Sequence, residues 1–156
     1  NKNPIDIISL TDKVIHKLSY ELSKKQLSIK KKYETNSIIV NADKNRLEEV
    51  LNNIIDNSIK FTTNGDITIS IQTKKNAILY TVEDTGKGIN PNIAKKIFDK
   101  FREYNPAKKI NTEGLGLGLY ICKNIIELHG GKISIKPASP TGTILTFSLP
   151  FDPENQ

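Results

Sequence analysis

Cysteine is almost missing from these 156 residues. Cys122 stands alone, so no internal disulfide can form and no cysteine-based metal site can assemble. Its place in an apolar helical pattern suits a buried small hydrophobe. Tryptophan is absent and aromatic residues make up only 6% of the chain. That scarcity bears on the net charge of +6, which otherwise invites a nucleic-acid reading. Lys24, Lys25, Lys30, Lys31 and Lys32 lie in one stretch with no interleaved aromatics, the pattern of a solvated face. No apolar run approaches the roughly 18 to 20 residues that span a bilayer. The start, Asn1 to Pro4, lacks both an initiator methionine and a signal-peptide pattern. A fragment is expected, and membrane spans elsewhere in its parent stay open. The common phosphate motifs are missing as well. Nothing reads G-x-x-x-x-G-K-[ST], no strand runs into G-x-G-x-x-G, and the catalytic strings of eukaryotic-type kinases are absent.

What is present is an ordinary globular composition, 37% hydrophobic and 26% charged, long enough for one domain over 1–156 with a real core. Apolar spacing at Ile5, Ile8, Leu10, Val14, Ile15, Leu18 and Leu22 predicts a leading helix reaching residue 26. Short strands are expected at 27–32 and 37–40. Asp43 suits the N-cap of a helix running to Phe61, with Glu48 and Glu49 near its start favouring the dipole. Alternation at Ile67, Ile69 and Ile71, then at Ile78, Tyr80 and Val82, predicts two strands joined by a turn at 74–76. Asn90-Pro91 opens a helix. Residues 103–113 are polar and aperiodic, as in a mobile loop. A helix from Leu117 to His129 should end at Gly130-Gly131, followed by strands at 132–136 and 143–149. Helices on one face of a mixed sheet is the simplest packing.

Two strings carry candidate chemistry. At about 100° per residue, Leu47, Val50, Leu51, Ile54 and Ser58 share the core face of the Asp43–Phe61 helix, and Asn53, Asn57 and Lys60 fall within about 60° of one another on its flank. An amide oxygen there can ligate Mg²⁺, and a lysine one turn on can neutralise phosphate charge. The same three side chains could equally face solvent. Asp84 closes a strand ahead of Gly86 and Gly88, where glycines let backbone approach a ligand. A buried carboxylate at that place could accept from an exocyclic amine and so prefer adenine to guanine. Gly114, Gly116 and Gly118 precede a helix whose first N–H groups can cradle anions, although a flexible linker would read the same way.

Read in order, these strings resemble the catalytic ATP-binding domain of sensor histidine kinases, within the gyrase, heat-shock chaperone, histidine kinase and mismatch-repair ATPase superfamily. Asn53-x-x-x-Asn57-x-x-Lys60-Phe61 resembles the N box and Asp84-x-Gly86-x-Gly88 the G1 box. Phe98-x-x-Phe101 resembles the F box, Gly114-x-Gly116-x-Gly118-Leu119 the G2 box, and Thr141-Gly142-Thr143 a last glycine-threonine box. The match covers nearly the whole chain.

The resemblance implies an α/β (α+β) two-layer sandwich. A mixed, mostly antiparallel sheet of about five strands would pack under about three helices, with a mobile ATP lid over about 102–113. It implies ATP and Mg²⁺ as cofactors, with Asp84 at the adenine amine, directly and through water shared with Thr143. Asn57 would be the Mg²⁺ ligand, with Asn53 and Lys60 toward the phosphates as catalytic residues and Phe61 beside the base. Gly86, Gly88, Ile89, Phe98, Arg102, Gly114, Gly116, Leu117 and Gly118 would complete the nucleotide contacts.

In the superfamily's ATPases, a glutamate four residues before the metal-binding asparagine activates water. Here that position is Asn53, whose amide cannot act as a general base. The expectation is therefore a kinase domain that transfers the γ-phosphoryl to a histidine on the dimerisation domain of its parent chain. His16 and His129 lack the family's phosphoacceptor pattern, so the dimerisation and phosphoacceptor helices lie outside this sequence. A response regulator is the expected downstream partner, nucleic acid and direct membrane contact are not expected, and the setting is cytoplasmic. A monomer is expected, because family dimers form through those other helices. Glu113 and Leu115 depart from the G2 pattern. They leave open an alternative, a degenerate nucleotide-binding scaffold without phosphotransfer.

Overall fold

The computed structural model describes residues 1–98 and 116–155. Its central feature is a five-stranded mixed sheet in the order β2 (Ser28–Tyr33), β4 (Asp66–Lys74), β5 (Ala77–Asp84), β7 (Thr143–Pro150), β6 (Lys132–Pro137). Only β2 and β4 run parallel; the other neighbours are antiparallel. Alternation along these strands sorts the side chains onto two faces. One face presents Ile67, Ile69, Ile71, Ile78, Tyr80, Val82, Leu145, Phe147 and Leu149, all buried. Tyr80 and Phe147 are register partners, and their rings stack with centroids 4.7 Å apart. The other face carries Thr81 and Thr146, whose hydroxyls meet at 3.2 Å.

Helices cover the apolar face. The longest, α3 (Lys44–Phe61), buries Leu47, Val50, Leu51, Ile54, Ile55, Ser58 and Ile59. The last long helix, α5 (Gly116–Leu128), buries Leu119, Cys122, Ile125 and Ile126 against the same core. Each such aliphatic side chain contributes about 1.5–3 kcal/mol on burial. Cys122 is buried as anticipated, and burial pushes its thiol up to about 12. The end of α5 follows from Gly130-Gly131: Gly131 N donates to Ile126 O and Gly130 N to Glu127 O, both at 2.9 Å, with Gly130 at φ 81°. The expected hairpin is present, turning at Lys75-Asn76 with Lys75 at φ 53°. No helix among the described residues is long and apolar enough to cross a membrane.

The single leading helix is corrected. Asn3–Asp6 forms a strand, β1, paired antiparallel with β3 (Ile39–Ala42) in a small second sheet. Helical structure begins only at α1 (Ile7–Lys17), and it breaks at Leu18 before α2 (Ser19–Lys25). The carboxylate of Asp6 explains the late start. It accepts from Ile8 N and from Ile38 N, both at 3.1 Å, capping the helix and tying it to the strand side at once. A helical spacing that includes Ile5 cannot report a strand partner more than thirty residues away. The acidic start expected for α3 also differs. Its first turn holds no acidic residue, and Glu48 instead pairs with Lys13 at 3.0 Å and with Lys17 of α1.

Candidate functional site

Asp84 is the last residue of β5, between Ile67 of β4 and Thr143 of β7 in register. Its side chain is buried, 5% exposed, and its Oδ1 accepts from Gly86 N at 2.9 Å. Burial raises its carboxyl above the ordinary aspartate value, and bonds from the Gly86 and Thr143 amides offset part of that rise. The neighbouring backbone needs glycine. A Cβ on Gly86 would stand 2.4 Å from Phe61 O, where the chain turns against the end of α3. Gly142, at φ +105°, would bring a Cβ within 1.9 Å of Asp84 O. These two contacts press the Asp84 turn between the end of α3 and the start of β7.

Above this carboxylate lies a cavity of about 300 Å³. Its walls are mostly apolar: Ile54, Phe61, Val82, Ile89, Ile93, Leu119, Ile135 and Leu145. Polar groups enter at few points, with Asn57 and Ser58 from α3, Asp84 on the sheet, Thr143 of β7, and Lys87, Gly88 and Asn90 from the loop after β5. A mostly apolar cavity with a buried carboxylate in its lining fits an aromatic base bearing an amine. Asn57 Nδ2 is buried and has no hydrogen-bond partner among the described residues. A buried donor without a partner costs about 1–3 kcal/mol, so an acceptor entering the cavity, whether water or ligand, would be favoured at Nδ2.

The predicted residues thus divide. Asn57, Phe61, Asp84, Gly88, Ile89 and Thr143 line one cavity, and Gly86 fixes the carboxylate beneath it. Asn53 lies apart, against the start of α5: a Cβ on Gly118 would meet Asn53 Oδ1 at 3.2 Å, and the Cys122 thiol bonds to the same side chain. Lys60 is also outside the wall, with its Nζ 2.9 Å from Asp56 Oδ2 and its side chain 56% exposed. Phe98 packs against the core rather than lining the cavity. Gly116 and Leu117 open α5. Arg102, Gly114 and the expected lid lie outside the described residues.

The spacing argument missed Lys87, Asn90, Ile93 and Ile135. Lys87 lies between Gly86 and Gly88 at a place the motif leaves unspecified, yet its Nζ sits 5.2 Å from the centroid of the Phe61 ring. Ile93 and Ile135 read only as ordinary periodic hydrophobics, and no local pattern says that they face a cavity.

Residues 42–153 match the family described as Histidine kinase-, DNA gyrase B-, and HSP90-like ATPase, and the chain belongs to it. Its relatives point to the histidine-kinase branch. Sensor protein SrrB of Staphylococcus aureus (strain NCTC 8325 / PS 47) is 34% identical over 152 residues, which is 96% of this chain and 26% of the relative. The chain therefore spans about a quarter of the length of the curated relatives it matches. Among solved structures, the catalytic domain of histidine kinase ThkA superposes with a TM-score of 0.86 at 28% identity, covering 98% of this chain and 99% of the other. Full-length ShkA in complex with AMPPNP gives 0.82 at 27%, covering 97% of this chain and 31% of that one. The two-layer sandwich expected from the motifs is the fold these kinases share.

Proposed function

We propose that the chain binds ATP with Mg²⁺ in the Asp84 cavity and transfers the γ-phosphoryl group to a histidine on the dimerisation domain of its parent kinase. The observation that carries this reading is the buried Asp84 carboxylate in the lining of a mostly apolar cavity, its Oδ1 oriented by Gly86 N at 2.9 Å. Asp84 would accept from the adenine amine, Phe61 and Ile89 would flank the base, and Thr143 would share water with the carboxylate. The complex of ShkA with AMPPNP supports this choice of ligand.

Asn57 would hold Mg²⁺ through its amide oxygen; bound there, the ion supplies charge that offsets the triphosphate. With Oδ1 toward the ion, the unpaired Nδ2 donor of Asn57 would be free to meet a phosphate oxygen. Asn53 and Lys60 would turn toward the phosphates, and the first amides of α5 would meet phosphate oxygens. Asn53 cannot take a proton, so this chain's contribution to transfer is positioning and charge neutralisation. A histidine nitrogen would attack the γ-phosphorus as the bond to the ADP oxygen breaks, and the imidazole N–H proton leaves to solvent. The acceptor comes from outside this chain. His129 is buried with both ring nitrogens engaged, Nδ1 at 2.7 Å from Ile125 O and Nε2 at 3.0 Å from Asp43 N. A response regulator would then take the phosphoryl group from the phosphohistidine.

Calorimetric titration with a non-hydrolysable ATP analogue tests the site, with one-to-one binding strengthened by Mg²⁺ as the expected result. Unchanged binding in both Asp84→Asn and Asn57→Ala would sink the assignment. Mixing the chain with separately expressed phosphoacceptor helices and labelled ATP tests transfer. Label on histidine is expected, and binding without label would favour the scaffold alternative.

A further inference from the structure

The last four carbonyls of a helix have no partner within it, and a helix end packed against a binding site must satisfy them some other way. In α3 all four are accounted for. Ser58 O accepts from Thr62 N at 3.1 Å, and Phe61 O accepts from Lys87 N, in the glycine turn, at 3.5 Å. The two between them are met from elsewhere in the chain. Lys25 Nζ, from the last turn of α2, donates to Ile59 O at 2.7 Å and to Lys60 O at 2.9 Å. Its third hydrogen reaches Thr62 O at 3.3 Å. An ammonium has three donors, and here all three find main-chain carbonyls. The charge also sits at the negative end of the α3 dipole, where a cation is favoured.

We infer that Lys25 is a positioning residue for the nucleotide site, capping the last turn of α3 from α2 so that Asn57 and Phe61 stand where the cavity needs them. The inference rests on the nucleotide reading above. Asn57 and Phe61 line the cavity from the final turns of α3, and no bond from α3's own sequence holds the Ile59 and Lys60 carbonyls. The glycine turn grips the same helix end on its other side, with Phe61 O against Gly86 and Lys87. Removing the ammonium leaves the Ile59, Lys60 and Thr62 carbonyls to find water or to let the turn unwind. Either result moves Phe61 away from the turn that carries Asp84.

Three variants of the 156-residue chain test this at a temperature well below unfolding. Lys25→Met keeps the stem and removes the donors, and should weaken the Mg²⁺–ATP analogue about tenfold. Lys25→Arg restores donors and should recover part of the affinity. Tyr80→Phe is the stability control. It removes a buried hydroxyl that meets Thr11 Oγ1 at 3.1 Å, away from the cavity wall, and should leave affinity unchanged. In the unliganded chain, Lys25→Met should shift the backbone amide resonances of Thr62 and Lys87, and Tyr80→Phe should not. Wild-type affinity in Lys25→Met, or an equal loss in Tyr80→Phe, overturns the inference. If the wild-type chain binds no analogue, the nucleotide reading fails instead. The amide resonances then decide the cap alone: shifted, it stands; unshifted, it falls.

Discussion

The orphan groups at the two ends of α3 are satisfied from different places: the amides at its start by the adjacent Asp43, the carbonyls at its finish mostly by Lys25 and the glycine turn. At its start the bonds to the helix amides are local, Asp43 Oδ1 accepting from Asn45 N at 3.1 Å and from Arg46 N at 3.2 Å. The capping residue is itself tethered, by His129 Nε2 at its N–H and by the Asn1 ammonium at Oδ2. At its finish the cap is remote, supplied by Lys25 from 34 to 37 positions earlier and by a glycine turn from the strand side. A local cap stabilises a helix wherever that helix goes. A remote cap fixes where the helix end stands relative to another element. The candidate site lies at the remotely capped end, where relative position matters.

Breaking the site end should give the largest effect. Asp84→Asn preserves shape and can still accept from Gly86 N, but it presents a neutral amide to the base. Analogue affinity should fall about a hundredfold, the scale of a lost charged hydrogen bond, with the fold intact by circular dichroism. Asn57→Ala should remove the strengthening of binding by Mg²⁺. An affinity loss of similar size from Asp43→Ala, at the other end of the helix, would erase the proposed contrast.

Gly142→Ala strikes the same end through the backbone. A Cβ at φ +105° and 1.9 Å from Asp84 O forces β7 off the Asp84 turn. The expected cost is on the order of 3 kcal/mol in denaturant unfolding, with analogue affinity falling in the fraction that remains folded. A variant as stable as wild type would mean that the turn has slack and that this end is less tightly set than its contacts imply.

The contrast also sorts what could be read from the sequence alone. The sheet, α3 and α5 were legible because alternation at Ile67–Ile71 and helical spacing at Leu47–Ser58 are properties of neighbouring residues. Asp43 and the Asp84 glycine turn were legible for the same reason. The strand at Asn3–Asp6 was not, because its partner is β3 and its isoleucine also fits a helix. Within the N-box string, spacing grouped Asn53, Asn57 and Lys60 on one flank, but only Asn57 lines the cavity. Packing of α5 takes Asn53, and Asp56 takes Lys60. A helical wheel places residues around an axis; it does not say which neighbour claims each one. Lys25 read as one lysine in a basic stretch, and nothing in that stretch points to carbonyls of another helix.

The smallest effects separate the two carboxylates by pH. Asp84 has a raised pKa, chiefly from burial, so between its unfolded value and its folded one the folded chain holds more protons. Its cost to stability is therefore full above the folded pKa and is relieved as pH falls through it. Affinity should move the other way, since the proposed bond from a base amine needs the ionised carboxylate. Analogue binding should weaken while pH is still above the ordinary aspartate value of about 3.9, and Asp84→Asn should flatten that profile. Asp43 has a lowered pKa, chiefly because Arg46 N–H bonds to its ionised form. Its contribution to stability is present above the unfolded value and is lost only as pH falls through the lower folded one. Asp43→Ala should accordingly reduce the melting temperature by a few degrees at neutral pH, with the deficit vanishing in strong acid and analogue affinity unmoved. Were the two carboxylates to titrate in the same direction, the difference between a half-buried cap at one end and a buried acceptor at the other would lose its physical basis.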